Sequence, residues 1–150
     1  MKITNNKLDE AFYVETPNAS MTPRDPKYIV LHGSVFDNVQ DQLEFFDAGT
    51  IKESAHLIVD KKGDVYQLAP FTAKTWHAGV SYWQGHHGLN GFSIGIYVMP
   101  SVESYERMHE IIPLIVEEYN IRDIMSHHDI CDRHYHCHNY PAETFKVYVD

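Results

Sequence analysis

"YIVLH" at residues 28–32 is a short apolar run of β-branched and aromatic residues, the composition of a buried strand. "FSIGIYV" at residues 92–98 has the same character and is followed by Pro100, which ends it. "DIMSH" at residues 123–127 is predicted to be a last strand. We therefore expect these runs to be strands of one central sheet.

Helices are predicted between these strands. Residues 38–48 are expected to form a helix that is capped by Asn38 and stopped by Gly49. From residue 101 to residue 120, apolar residues recur at steps of three and four, which is the pattern of an amphipathic helix. Pro113 predicts a kink within this second helix.

The segments "SAHLIVD" and "DVYQLA" are strand-like and flank "KKG", in which Gly63 supplies the positive φ of a tight hairpin. The resulting order β-α-β-β-β-α-β predicts an α/β fold, a single domain with a mixed central β-sheet flanked by helices. Residues 1–26 are polar and contain three prolines. We expect an N-terminal arm or irregular lead-in there, followed by one domain over residues 27–150.

Length and charge limit the possible partners. With 150 residues, of which 43% are apolar, the chain has the size of one globular domain. A formal net charge of -9 without a basic face argues against nucleic acid as a partner. We find neither a signal-peptide core nor an apolar run of about 18 residues, so we expect a cytoplasmic protein that does not bind membranes.

Residues 126–138, "SHHDICDRHYHCH", contain five histidines and both cysteines of the chain. His32 closes the first predicted strand, His127 closes the last, and Cys137 follows on a loop that can fold back. Zinc bound by two imidazoles and one thiolate keeps a fourth tetrahedral position for water, which is the arrangement of a catalytic site.

The spacing within this segment leaves two other interpretations open. One is a histidine run on the solvated surface that binds no metal. The other is a closed structural zinc knuckle. Its ligands would be Cys131, Cys137 and two of His134, His136 and His138.

Four blocks of the sequence resemble, in order and with similar spacing, those of the type-2 N-acetylmuramoyl-L-alanine amidases. They are "YIVLHGS", "SAHLIVDKKGDVYQLAP", "TWHAGVSYWQGHHGLNGFSIGIYV" and "SHHDI". That family includes cytoplasmic anhydro-muropeptide amidases, phage amidase endolysins and animal peptidoglycan recognition proteins. The resemblance covers residues 27–145. It implies hydrolysis of the amide between N-acetylmuramic acid and L-alanine, in peptidoglycan or in soluble muropeptides.

The resemblance also implies a metal site. One zinc ion per chain would be held by His32, His127 and Cys137, with Cys131 as a small packed residue nearby. Such an ion lowers the pKa of its bound water towards about 7 and polarises the amide carbonyl.

Further positions correspond to the substrate groove of the family. His77, in "WHAG", lines that groove, and His56 points into the same region. Trp76 and Trp83 offer flat faces for sugar rings, although each is equally suited to core packing. Asn90 can hydrogen-bond the peptide or brace its own loop.

The sequence departs from the family where protons are handled. Tyr97 stands where cytoplasmic members have a glutamate, Ala55 where some endolysins have a tyrosine, and Tyr135 where many members have a basic residue. A phenol with the ordinary pKa near 10 is a poor base, but it can donate a hydrogen bond or orient water. We expect Tyr97 and Tyr135 to share this work. The alternatives are His134, His136 and, more weakly, Glu53.

Two other functions compete with a zinc amidase. The first is a non-catalytic module of the same fold that binds peptidoglycan or muropeptides, and the second is a zinc hydrolase repurposed to another amide or ester. The complete ligand set favours hydrolysis, whereas Tyr97 and Tyr135 favour the alternatives. A missing signal peptide suits a cytoplasmic recycling enzyme, and equally a phage endolysin that reaches the wall on lysis.

Overall fold

The computed structural model describes residues 1–48, 52–79, 81–131 and 139–149. Its strands are β1 (Ile3–Thr4), β2 (Lys7–Leu8), β3 (Phe12–Tyr13), β4 (Ala19–Ser20), β5 (Tyr28–Gly33), β6 (Leu57–Val59), β7 (Val65–Gln67), β8 (Lys74–Thr75), β9 (Tyr82–Trp83), β10 (His86–His87), β11 (Ser93–Val98) and β12 (Asp123–Ser126). Its α-helices are α1 (Val39–Asp47), α2 (Val102–Tyr119) and α3 (His127–Ile130), and 3-10 helices span Leu89–Gly91 and Glu143–Val149.

The central sheet is mixed, as predicted. In the described part of the chain it has six strands in the order β12-β5-β11-β6-β7-β3. β12, β5, β11 and β6 are parallel, whereas β7 pairs antiparallel with β6 and parallel with β3. Gly63 has φ +84° in the β6–β7 turn, in agreement with the predicted hairpin.

The two faces of the sheet differ because alternate residues of a strand point to opposite sides. We define the α2 face as the side that packs against helix α2. Its core includes Ile29, Leu31, Leu57, Val59, Ile94, Ile96, Val98, Ile124, Met108, Ile111, Ile112, Ile115 and Phe145. The opposite face carries two smaller apolar clusters, one around Val30 and Met125 and the other around Phe46 and Ile58. We call it the site face, because the histidines described below lie on it.

Both long helices form where the sequence predicts them. The Asn38 side chain accepts a hydrogen bond from the backbone N–H of Asp41 at 2.9 Å, which caps α1. Ser101 caps α2, and α2 ends at Asn120, whose φ is 53°. α2 continues through Pro113, and its predicted kink stays a prediction. The expected stop at Gly49 lies outside the described residues.

Two local differences from the predicted elements concern the ends of the sheet. β12 ends at Ser126, so His127 begins α3 instead of closing the strand. Residues 1–26, expected to be an arm or irregular lead-in, contain short strands, and β3 forms one edge of the central sheet. A domain boundary at residue 26 stays a prediction. Across the residues described, no helix combines the length and apolar character that a bilayer span requires.

Candidate functional site

The candidate site lies on the site face of the sheet, where the neighbouring parallel strands β12, β5 and β11 end. The register of β5 and β11 places Tyr97 beside His32, and His127 directly follows β12, the other neighbour of β5. The rings of His32 and His127 have centroids 4.5 Å apart. The structure thus brings together the two imidazoles that the sequence predicts as ligands, at the strand ends where open α/β sheets bind ligands.

The hydrogen bonds of these histidines determine which nitrogen can bind a metal. His127 Nε2 lies 3.1 Å from the carbonyl oxygen of Ala78. A carbonyl only accepts, so Nε2 carries the proton and Nδ1 has the lone pair. His32 Nε2 lies 3.0 Å from His77 Nδ1. Nδ1 is therefore the nitrogen of His127 that can bind a metal ion.

The third expected ligand is Cys137, which lies outside the described residues, as do Tyr135, His134, His136 and His138. Within residues 1–48, 52–79, 81–131 and 139–149, no group of three or more His, Cys, Asp or Glu side chains is arranged to hold a metal ion.

The chain returns to β5 at Asn139, two residues after Cys137 in the sequence. Asn139 forms an isolated antiparallel bridge with His32. Its carbonyl also lies where a Cβ of residue 33 would be, so only glycine at position 33 permits this approach. Cys131, expected to be a small packed residue, is half-buried, forms a β-bridge with Ser81 and takes part in a disulfide, so its sulfur is not the free thiol that this expectation assumed.

Tyr97 is buried beside His32, with 4% of its surface exposed. Its hydroxyl donates a hydrogen bond to Glu53 Oε1 at 3.4 Å. Burial, together with the charge and hydrogen bond of Glu53, raises the pKa of Tyr97 well above 10. Tyr97 is therefore a neutral phenol at pH 7, which suits a hydrogen-bond donor and not a general base.

Glu53 and Tyr97 also line a small cleft of about 160 Å³. Its other walls are mainly apolar and are formed by Val35, Phe36, Gln42 and Phe45. Glu53, which the sequence identified only as a weak candidate, is thus the carboxylate that contacts the phenol next to His32.

His77 lies behind His32 and is 2% exposed. Its Nε2 is 3.0 Å from the Ser93 hydroxyl oxygen, and its ring lies against Gly95, where any Cβ would overlap it. Burial, with smaller effects of His56, Arg24 and His127, holds the pKa of His77 well below 6.5. His77 was expected to line the substrate groove. It lies instead beneath His32, where its ring is almost without solvent contact.

His56 is fully buried as well, with 0% of its surface exposed. The backbone N–H of Gly95 donates to His56 Nδ1 at 3.1 Å, so Nε2 carries the proton and donates to the Ala73 carbonyl at 2.7 Å. Arg24 donates to the same carbonyl. Burial, and then the nearby charge of Arg24, lowers the pKa of His56 to about 3. His56 therefore supports β11 from within the core rather than presenting its ring to the groove.

The remaining predicted substrate residues occupy the loops around the site. Asn90 Oδ1 accepts hydrogen bonds from the backbone N–H groups of His77 at 3.1 Å and Ala78 at 2.8 Å, so Asn90 braces the loop. Trp76 is half-buried, with Lys52 Nζ 4.5 Å from its ring centroid. Trp83 is half-buried and packs against the cluster around Val30.

Sequence reasoning did not identify Ser93, Gly95 or Ala78 as parts of the site. A signal was available for Gly95, because a glycine inside a strand often marks a close approach of another group. Ser93 and Ala78 act through single hydrogen bonds to histidines that are distant in the sequence, and no local pattern indicates them.

Comparison with known proteins identifies the family of the chain. A family model described as N-acetylmuramoyl-L-alanine amidase matches residues 22–139. The 1,6-anhydro-N-acetylmuramyl-L-alanine amidase AmpD of Enterobacter cloacae is 30% identical, and the match covers 87% of this chain and 84% of AmpD.

Solved structures share the fold. A selenomethionine derivative of AmpD has a TM-score of 0.79 at 22% identity, and the match covers 100% of both chains. AmiD from E. coli, solved with anhydro-N-acetylmuramic acid-L-Ala-D-γ-Glu-L-Lys, has a TM-score of 0.64 at 22% identity, with 85% of this chain and 53% of AmiD covered. The family match, the AmpD relative and the paired histidines lead to one conclusion, that the chain belongs to the N-acetylmuramoyl-L-alanine amidase family.

Proposed function

We propose that the chain hydrolyses the amide between N-acetylmuramic acid and L-alanine with one zinc ion held by His32, His127 and Cys137. The observation that carries this proposal is the convergence of His32 and His127 at the ends of adjacent parallel strands, with ring centroids 4.5 Å apart. Membership of the amidase family supports amide hydrolysis as the reaction.

The two histidines fit zinc, and Cys137 fits it when its sulfur is a reduced thiolate. Imidazole nitrogen and thiolate sulfur are the ligands that zinc prefers, and three of them keep a position for water. His127 meets this need because its Nε2–H is used by the Ala78 carbonyl, which leaves the lone pair on Nδ1. The bridge between His32 and Asn139 supports Cys137 as the third ligand, because the chain is held at β5 two residues beyond it. When bound, zinc supplies Lewis-acid activation of water and of the scissile carbonyl.

Glu53 is our candidate for moving the proton. A carboxylate on this face serves as base for the attacking water and then as acid for the leaving amine of L-alanine. Tyr97 donates to Glu53 and stacks against His32, so the phenol positions the carboxylate. The glutamate that cytoplasmic members carry at position 97 would thus be replaced by one reaching in from position 53. A role for Tyr135 stays a prediction.

The substrate we propose is a soluble anhydro-muropeptide handled in the cytoplasm. The AmpD relative is named for an anhydromuramyl substrate, and the match covers 84% of its length. The apolar cleft beside Glu53 and Tyr97 has room for the methyl groups of the lactyl and alanyl units that flank the scissile bond.

Turnover is tested by incubating the zinc-loaded chain with 1,6-anhydro-muramyl tripeptide and, separately, with purified sacculi. Mass spectrometry should detect free tripeptide from the soluble substrate, at a higher rate than peptide is released from sacculi. Faster release from sacculi would contradict the proposed substrate. Binding of both without release, while AmpD cleaves in the same buffer, would instead identify a binding module.

A further inference from the structure

We propose that His77 and Ser93 form a hydrogen-bond relay that fixes the tautomer and orientation of His32, so that His32 presents Nδ1 to the bound ion. Asn90 holds the backbone of His77 and Ala78, and so supports both this relay and the hydrogen bond from His127 to the Ala78 carbonyl. The identity of the ion rests on the proposed function, whereas the proton positions follow from described contacts alone. His77, Ser93 and Asn90 are therefore positioning residues rather than groups that touch substrate.

The relay begins at a backbone carbonyl. The Ser93 hydroxyl lies 2.6 Å from the carbonyl oxygen of Leu89, which only accepts, so Ser93 donates its one proton there. The Ser93 oxygen then has only lone pairs for His77 Nε2, at 3.0 Å. His77 Nε2 must therefore carry a proton. In a neutral imidazole the other nitrogen is unprotonated, so His77 Nδ1 has a lone pair.

This lone pair determines the state of His32. His77 Nδ1 and His32 Nε2 are 3.0 Å apart, so His32 Nε2 carries the proton and donates it to His77. In a neutral imidazole one nitrogen is protonated and the other is not, so the lone pair of His32 is on Nδ1. His127 reaches the same tautomer through its own donation to the Ala78 carbonyl.

One side chain holds both of these contacts. Asn90 Oδ1 accepts from the backbone N–H of His77, which orients His32, and from that of Ala78, which orients His127. Gly95 completes the arrangement, since its missing side chain is the space in which the His77 ring lies. Partners of this kind typically change metal affinity by about 10- to 100-fold when they are removed.

The direct test is the tautomer of His32 in the metal-free wild-type chain with 15N-labelled histidine, read from imidazole 15N shifts and two-bond couplings. We expect the Nε2–H form for His32, His77 and His127. A His32 ring protonated on Nδ1 would overturn the relay. This measurement needs neither zinc nor turnover, so a chain that binds no zinc would refute the proposed function and leave this result to decide the relay.

Variants of His77 supply a second readout, the zinc dissociation constant measured by competition with a chelator. His77→Asn keeps an acceptor at the Nδ1 position, whereas His77→Leu removes it. We expect His77→Leu to weaken zinc binding by about 10- to 100-fold and His77→Asn to recover most of that loss. Equal zinc affinity of His77→Leu and the wild type would overturn the proposal. Thermal unfolding of each variant identifies any that fails to fold, and the wild-type tautomer then remains decisive.

Discussion

The phenol ring of Tyr97 lies flat against the imidazole of His32, with centroids 4.5 Å apart and 6° between the planes. Strand register produces this contact, since the two residues are partners across β5 and β11. A residue at position 97 is therefore in direct contact with a proposed metal ligand. The hydroxyl of the stacked phenol donates to Glu53, the carboxylate that we propose moves the proton.

Tyr97→Phe keeps the stacked ring and removes only this hydroxyl. We expect kcat to fall by about 2- to 10-fold, corresponding to the net ~0.5–1.5 kcal/mol of one hydrogen bond, with zinc affinity unchanged. Steady-state kinetics and zinc titration measure the two effects. Tyr105→Phe, on the exposed side of α2, is the matched control. An unchanged kcat would remove the hydroxyl from the mechanism.

Glu53→Gln keeps the size of the side chain and removes its charge and basicity. Loss of a general acid–base group costs about 10²- to 10⁴-fold in rate, and we expect kcat to fall within this range while zinc remains bound. Glu106→Gln, exposed on α2, should retain wild-type kinetics. If Glu53→Gln kept more than about a tenth of the activity, the proton would have to move through another group.

Metal content separates the proposed ligands from their neighbours. Elemental analysis of the protein prepared under reducing conditions should find about one zinc per chain, lost in Cys137→Ser and in His127→Ala but retained in Cys131→Ser. Removal of zinc with a chelator should abolish turnover, and added zinc should restore it. Equal zinc loss in the two cysteine variants would instead favour the closed knuckle.

Gly95→Ala tests the packing beneath the site. The added methyl would overlap the His77 ring, and forced overpacking of this kind typically destabilises by about 1–3 kcal/mol. Gly91→Ala is the matched control, because nothing lies within 4 Å of its added Cβ. Urea unfolding measures the free energy of unfolding of both variants. Equal stabilities would show that the His77 ring is not held against β11.

Stability should depend on pH through His56. Burial lowers its pKa from 6.5 to about 3, so between these values the unfolded chain binds a proton that the folded chain does not. Stability therefore falls as the pH falls through this window, by up to about 1.4 kcal/mol per pH unit for this one group. Urea unfolding of His56→Asn at several pH values should show a slope reduced by about one proton, whereas the exposed control His87→Asn should keep the wild-type slope. An unaltered slope in His56→Asn would contradict the depressed pKa.

Local signals were sufficient for the main elements. The capping residue Asn38 and the three-and-four spacing of α2 act over a few residues, so the sequence alone shows them. The same holds for the apolar runs of β5 and β11. His32 and Tyr97 lie near the carboxyl ends of these two parallel strands. Part of the site therefore followed from the strand assignment.

By itself, then, the sequence determined the fold class, the family resemblance and the two imidazoles at the strand ends. Tertiary structure alone decided how those groups are supported. His32 meets His77 across 45 residues of sequence, and Tyr97 meets Glu53 across 44. Such contacts depend on strand register and on the space above Gly95. Both arise only when the sheet has assembled, because no local periodicity encodes a hydrogen bond between distant segments.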